Sequence, residues 1–549
     1  MYSRRNFLTL SVGSLAAFGL GSSLVACADD SSPGDGGGTP KSGGSITFAT
    51  TAEPDSWDLH VSVSTLSALT LRAVYDSLVY QKADGTFEPW LAKSWEISDD
   101  GLRYSFVLRD DVTFHDGTAF NAQAVKVNFD HIVDPATKSR NSKTLLGPYD
   151  RTEVTGDFTV VVHLRSPYSP LLGALSSTYL SFHSPAVLRA NPADIASGGK
   201  FLVGTGPFVS SSLTPGQNAV FTRRPGYRWA PASAAHPGEA YLDQYVIQFL
   251  ADDAARVGAL TSGQLDVADQ IPATRLAQLR GQPNIKLVSR ETVGSPFTYS
   301  LNTTKAPFTE RDVRIAFQSA VDTEAITQGL FQGTYTSGRS VLTSSTPGYD
   351  KSVEQIWGYD KNRAISTLEK AGFTTTDSEG YRTRDGQRLS VTLAFAASFT
   401  TEEQRNYHTA LKDAVKQVGF EVVLRPLDTP SIVQTFASGD YHLGSGAPSA
   451  IDGSILRTLF YSSQLPGVGG ANAARVNDPE IDGWLDEALR TRDVAGQNAL
   501  YGKVQRKALT EAYVLPTFVS KRTYGVQQRV QGFELGAGNL PVLPDVWVG

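Results

Sequence analysis

Apolar residues recur along the chain with two periods, and each period predicts a type of element. Alternation marks strands at Tyr104-Phe106-Leu108, Val160-Val162-Leu164, Tyr245-Ile247-Phe249, Phe297-Tyr299-Leu301, Val391-Leu393-Phe395 and Phe420-Val422-Leu424. Helical spacing is equally legible. Val313, Ala316, Phe317, Ala320 and Val321 fall at i, i+3, i+4, i+7 and i+8, which sets one apolar stripe against a core. Asp360 is placed to cap a helix carrying Ala364, Ile365, Leu368 and Ala371, which Gly372 ends. Asp478-Pro479 opens another, with Ile481, Trp484, Leu485 and Ala488 on its inner face. Between Leu389 and Gly446 the two periods alternate as strand, helix, strand, short helix and short strand. A βαβαβ unit of this kind predicts a parallel sheet whose ligand lies beyond the carboxyl ends of the strands. The segment Gly444 to Asp452, leaving the last strand, is therefore a ligand-facing candidate that includes Ser445, Gly446, Ser449 and Asp452.

Composition narrows the class. The chain has 549 residues, 40% hydrophobic and 19% charged, enough for roughly three or four domain-sized units at about 150 residues each. With 49 basic and 55 acidic residues the net charge is −6, and no Lys/Arg cluster offers a stripe for a phosphate backbone, so nucleic acid is excluded as a partner. One cysteine, Cys27, allows neither an internal disulfide nor a thiolate metal site.

The position of that cysteine accounts for it. Arg4 and Arg5 followed by the apolar stretch Phe7 to Val25 predict a secretory signal over residues 1–26. Ser3-Arg4-Arg5-Asn6-Phe7-Leu8 resembles a twin-arginine export signal, and Leu24-Val25-Ala26-Cys27 resembles the lipobox of bacterial lipoproteins. The resemblance implies cleavage before Cys27 and lipidation of its sulfur, giving an exported protein tethered to the cell membrane. Residues 27–44, rich in Asp, Ser, Gly and Pro, read as a flexible stalk.

The constellations of a hydrolase are missing. There is no G-x-S-x-G elbow and no H-E-x-x-H, and the histidines at 60, 115, 131, 163, 183, 236, 408 and 442 form no i, i+3 or i+4 pair. The expectation is therefore no catalytic residues, no cofactor and no metal site.

Several segments in order resemble the extracytoplasmic solute-binding proteins of ABC importers, specifically the oligopeptide and dipeptide class. They are Leu91-Ala92-Lys93-Ser94-Trp95-Glu96-Ile97-Ser98-Asp99-Asp100-Gly101-Leu102, Phe106-Val107-Leu108-Arg109-Asp110-Asp111-Val112-Thr113-Phe114-His115-Asp116-Gly117, Gly204-Thr205-Gly206-Pro207-Phe208, Leu301-Asn302, Ala306-Pro307-Phe308 and Asn477-Asp478-Pro479-Glu480-Ile481-Asp482. The resemblance implies an α/β, two-lobed, periplasmic-binding-protein-like fold (type II) with three sub-domains and a hinged ligand cleft. From the sequence breaks, lobe one takes 45–74, 196–290 and 517–549, an inserted sub-domain takes 75–195, and lobe two takes 291–516.

The same resemblance implies a monomeric receptor that passes a peptide or similar small molecule to an ABC permease and ATPase. It implies that Asp452 meets the ligand's ammonium group, although an aspartate there reads equally well as a helix cap. Arg339 and Arg457 are candidates for a ligand carboxylate. Trp57 and Asp58 after the first strand, Tyr75 before the insertion, and Asn302 at a strand end are further candidate contacts. Where many members have a Gly-Trp pair, this chain has Gly444-Ser445-Gly446-Ala447-Pro448. That difference leaves two competing readings: a receptor for a non-peptide such as a metal complex, haem or an opine, and an exported hydrolase on the same scaffold.

Overall fold

The alternation around Phe106 and Val162 produces the strands Arg103–Leu108 and Thr159–Leu164, neighbours in an antiparallel sheet with Ala92–Ile97 and Tyr149–Gly156 at its edges. A computed structural model describes residues 39–549 apart from 83, 84, 468 and 469. The expected signal peptide, Cys27 and residues 28–38 of the stalk lie outside the described residues. Inward-facing Tyr104, Phe106, Leu108, Val160 and Val162 join Phe120, Val125 and Phe129 in one core.

Two larger sheets pack against three further cores. The first has the strand order Ile285–Glu291, Lys521–Gln527, Val267–Ala268, Ser45–Thr50, Gln244–Phe249, Asn218–Arg223, Phe208–Thr214. Ser45–Thr50 runs parallel to Gln244–Phe249 and to Val267–Ala268, and the remaining pairs are antiparallel. The second has the order Thr336–Ser337, Val514–Val519, Phe297–Leu301, Leu443–Gly446, Ser390–Ala396, Glu421–Leu427. Here the βαβαβ unit is present: Ser390–Ala396 pairs in parallel with both Glu421–Leu427 and Leu443–Gly446, with the helices Glu402–Lys416 and Thr429–Ser438 as crossovers. This is the two-lobed α/β architecture that the pattern and the resemblance imply. No helix among the described residues is long and apolar enough to cross a membrane.

Local signals work as their chemistry dictates. The Asp360 carboxylate accepts from Arg363 N at 2.8 Å and opens the helix Lys361–Lys370, while Gly372 takes φ +88° just beyond it. The Asp478 carboxylate accepts from Glu480 N at 3.0 Å, from Lys507 Nζ at 2.8 Å and from Tyr513 OH at 3.2 Å, so one residue caps a helix and joins it to the next. The stripe from Val313 to Val321 is wholly buried, yet the helix ends at Ser319, and Val321 reaches the same core from the following turn.

Packed in the second lobe is a histidine that burial holds neutral. His408 is fully buried, with Nδ1 2.7 Å from Tyr299 OH, and burial pushes its imidazole down to about 4. Between pH 6.5 and 4 the unfolded chain binds a proton at this position that the folded chain refuses, so stability falls as pH falls through that window. His408→Gln removes this proton. Its stability should therefore decline less steeply than wild type between pH 6.5 and 4.5, by up to ~1.4 kcal/mol per pH unit, in denaturant melts run at a series of pH values.

Candidate functional site

The chain passes between the two large sheets at 292–296, linking Ile285–Glu291 to Phe297–Leu301, and again at Ser520, linking Val514–Val519 to Lys521–Gln527. The two passages touch. Thr292 donates from N (3.0 Å) and from Oγ1 (3.2 Å) to the Ser520 carbonyl. Beside them runs the loop that leaves Leu443–Gly446. Ser295 N donates to Pro448 O at 3.0 Å and Ala450 N to Val293 O at 3.2 Å, so Gly294 and Ser449 form an antiparallel bridge. Gly294 has φ +119°, and a Cβ built on it would lie 2.4 Å from Pro448 O and 2.7 Å from Ala450 N. Only glycine fits.

Downstream, the loop delivers Asp452 to the meeting of the second lobe with the sub-domain built on Arg103–Leu108. Its Oδ1 accepts from Ser454 N at 2.9 Å, ahead of the helix Ile455–Phe460, the Ser454 side chain is a second hydrogen-bond partner, and the carboxylate has no ion-pair partner among the described residues. Burial raises this carboxyl above its ordinary value, with the hydrogen bond from Ser454 working the other way. Gly173 faces it so closely that an added Cβ would stand 2.9 Å from Ile451 Cδ1 and 3.5 Å from Asp452 Oδ2. Tyr168, pushed up to about 12 by burial and by the charge of Asp452, and Tyr501 complete the aromatic wall.

These residues line a cavity of about 90 Å³ together with Tyr104, Leu172, Arg490 and Arg492. Small-molecule sites usually span about 300–1,000 Å³, so this cavity is well below that size. Its rim is held by main-chain hydrogen bonds across the gap. Ser169 donates from N to Leu489 O (3.0 Å) and from Oγ to Ala488 O (2.9 Å), and Arg492 reaches Ile97 O (3.3 Å) and Ser98 O (3.4 Å).

Of the expected ligand contacts, Asp452 lines this cavity and the others do not. Ser445 and Gly446 pair with Tyr299 and Thr298 inside the sheet, and Ser449 is exposed on the stitched loop. Asn302 is fully buried and its amide is committed, donating to Gly439 O and Tyr441 O and accepting from Thr304 N. It fixes a strand end. Arg457 pairs with Asp486 at 2.8 Å and stacks 3.6 Å over the ring of Tyr461. Arg339 pairs with Glu324 beside a second concavity of about 660 Å³, lined also by Asp322, Gln328, Tyr335 and Thr336.

The first lobe departs furthest from the expectation. Trp57 is buried, donating from Nε1 to Glu53 at 2.8 Å. Asp58 and Tyr75 are buried as well, and both bind His183 instead of facing a cleft: Nε2 lies 3.2 Å from Asp58 Oδ1 and Nδ1 lies 3.0 Å from Tyr75 OH. Sequence reasoning missed Tyr168, Arg490, Arg492 and Tyr501 because no short-range pattern marks residues that meet only when the sub-domain closes.

Two lobes joined by paired crossings, with a carboxylate at the closing seam, define a hinged solute receptor. A family model described as bacterial extracellular solute-binding proteins, family 5 (middle), matches residues 86–464, and the chain belongs to that family. It is 25% identical over 499 residues to the probable D,D-dipeptide-binding periplasmic protein of Escherichia coli strain K12, covering 89% of this chain and 91% of the relative. It is 27% identical over 483 residues to the nickel-binding periplasmic protein of the same strain, covering 86% and 87%. The crystal structure of NikA from Brucella suis in complex with Fe(III)-EDTA superposes with TM-score 0.80 at 24% identity, covering 92% of this chain and all of that one.

Gly294→Ala introduces a Cβ into the bridge between the crossing and the loop. The variant should unfold about 1–3 kcal/mol more easily than wild type in denaturant titration, whereas Gly117→Ala, at φ +82° with open space around it, should cost no more than the backbone strain alone.

Proposed function

We propose that this chain is the exported solute receptor of an ABC importer, tethered to the cell membrane by lipid on Cys27, and that it carries a small ligand with a cationic end, such as a peptide ammonium, to the permease. The supporting observation is Asp452, a carboxylate at the seam between lobe and sub-domain that is hydrogen-bonded by Ser454 alone and has no ion-pair partner among the described residues. Enclosing a carboxylate without a counter-ion is costly, and a ligand cation offsets that cost. Relatives named for D,D-dipeptide and glutathione binding accord with a small peptide-like ligand, and the nickel-binding relative keeps a metal complex open as cargo.

The receptor acts without chemistry of its own, as a monomer. Opening about 292–296 and Ser520 separates Tyr168 and Gly173 from Asp452. The ligand enters, its cation meets Oδ2, and closure restores the contacts at Ser169 and Arg492. The permease then recognises the closed form.

Native mass spectrometry of the freshly purified protein identifies the cargo: masses spaced by amino-acid residues support a peptide, and one discrete non-peptide mass removes that claim. With the cargo in hand, Asp452→Asn should weaken binding by about 1–3 kcal/mol in calorimetry. Equal affinity in wild type and variant would overturn the assignment of Asp452. For wild type, affinity should fall on acidification, beginning at a higher pH than for an ordinary carboxylate because burial raises Asp452.

A further inference from the structure

Away from the Asp452 cavity, and sharing none of its lining residues, three metal-binding side chains meet in the interior. Asp58, His60 and His183 are 3%, 0% and 0% exposed, and one ligand atom from each lies within 4.8 Å of the others. They arrive from distant segments. Asp58 and His60 follow the first strand, Ser45–Thr50, and His183 follows the turn Thr178–Leu180 of the inserted sub-domain. A further imidazole lies beside them: the helix Ala122–Val133 carries the half-buried His131, whose Nδ1 is 3.1 Å from His60 Nδ1, outside the group in which every donor lies within 4.8 Å of the others.

The outer contacts orient these rings. His60 Nε2 lies 3.0 Å from Ser181 O, and a carbonyl only accepts, so the proton sits on Nε2 and Nδ1 presents its lone pair to His131. His183 places Nδ1 3.0 Å from Tyr75 OH and Nε2 3.2 Å from Asp58 Oδ1. A ring nitrogen tied to a carbonyl or hydroxyl, with the other nitrogen aimed at a second donor, is the arrangement that holds metal-ligating histidines in place.

We propose that Asp58, His60 and His183 form a binding site for one divalent ion of the zinc class, clasping the first lobe to the inserted sub-domain, with His131 drawn in beside His60 as fourth donor when the ion binds. Three imidazoles and one carboxylate suit a tetrahedral zinc ion better than calcium or magnesium, which take oxygen donors. Ligands about 2.0–2.1 Å from such an ion stand ~3.3 Å apart; His183 and Asp58 are already 3.2 Å apart, and the other pairs of the three donors close in from within 4.8 Å. The metal takes the place of hydrogen-bond protons without a net proton change. The His183 proton moves from Nε2 to Nδ1, where it donates to the Tyr75 oxygen, and the His131 proton moves from Nδ1 to Nε2. The carboxylate supplies the negative charge.

The test uses untagged full-length protein, stripped with chelator, dialysed against Zn²⁺ and desalted. Wild type should retain one zinc per chain by elemental mass spectrometry, melt at a higher temperature with zinc than without, and with Co²⁺ in place of zinc show the intense visible bands of a tetrahedral site. Asp58→Asn and His131→Gln should both lose the retained metal and the melting shift. His131 is half-buried, so His131→Gln is the variant expected to keep the native fold, checked by circular dichroism. Retention of less than about a tenth of an equivalent by wild type, or equal retention by wild type and a folded His131→Gln, overturns the proposal and leaves a sealed hydrogen-bond network.

Discussion

Everything that moves in this protein is constrained by the contact between Thr292 and Ser520. The two crossings lie side by side, joined through the Ser520 carbonyl, so rotation of one lobe against the other concentrates its backbone change in a few residues. Gly294 sits in the first crossing at a backbone angle that favours glycine, and the loop carrying Ser449 is hydrogen-bonded to it on both sides. The loop that ends at Asp452 is thus tied to the axis of rotation. Asp452 therefore keeps its place relative to the hinge, and Gly173 and Tyr168 approach it from the other side.

The closed seam is held by modest interactions. Ser169 and Arg492 donate to main-chain carbonyls, bonds worth about 0.5–1.5 kcal/mol each in net terms, with somewhat more for the charged donor. Against them stands the cost of enclosing a carboxylate that has no ion-pair partner among the described residues. These terms are of similar size and opposite sign, so neither open nor closed forms are locked. A ligand that supplies a cation to Asp452 changes the sign of the second term, and a few kcal/mol suffices to shift the population.

Much of the fold was legible because its elements announce themselves locally. Alternation fixed the strands through Phe106, Tyr299 and Leu393, and Asp360 and Asp478 cap the helices that their positions predict. The βαβαβ stretch is also present as its pattern predicts, with Ser390–Ala396 parallel to both of its neighbours. Asp58 and Tyr75 were misread for an equally physical reason. Their partner His183 lies more than a hundred residues away in the sub-domain, and a search for histidines at helical spacing cannot detect rings that meet through tertiary packing. Asn302 was misread because a polar residue at a strand end satisfies its own turn as readily as a ligand.

The missing indole has a structural counterpart. Gly444 is pressed against Phe436, where an added Cβ would stand 2.8 Å from the ring, and Ser445 faces along the sheet beside Tyr299. No aromatic side chain on this strand walls the space near Asp452. Tyr168 and Tyr501 supply that wall instead, one from the inserted sub-domain and one from the second lobe. A wall split between moving parts exists only after closure, whereas an indole on the strand would be present in the open form too. The aromatic contact therefore contributes to closure more than to first encounter, and the hydroxyls of both tyrosines make the enclosed surface more polar than an indole would.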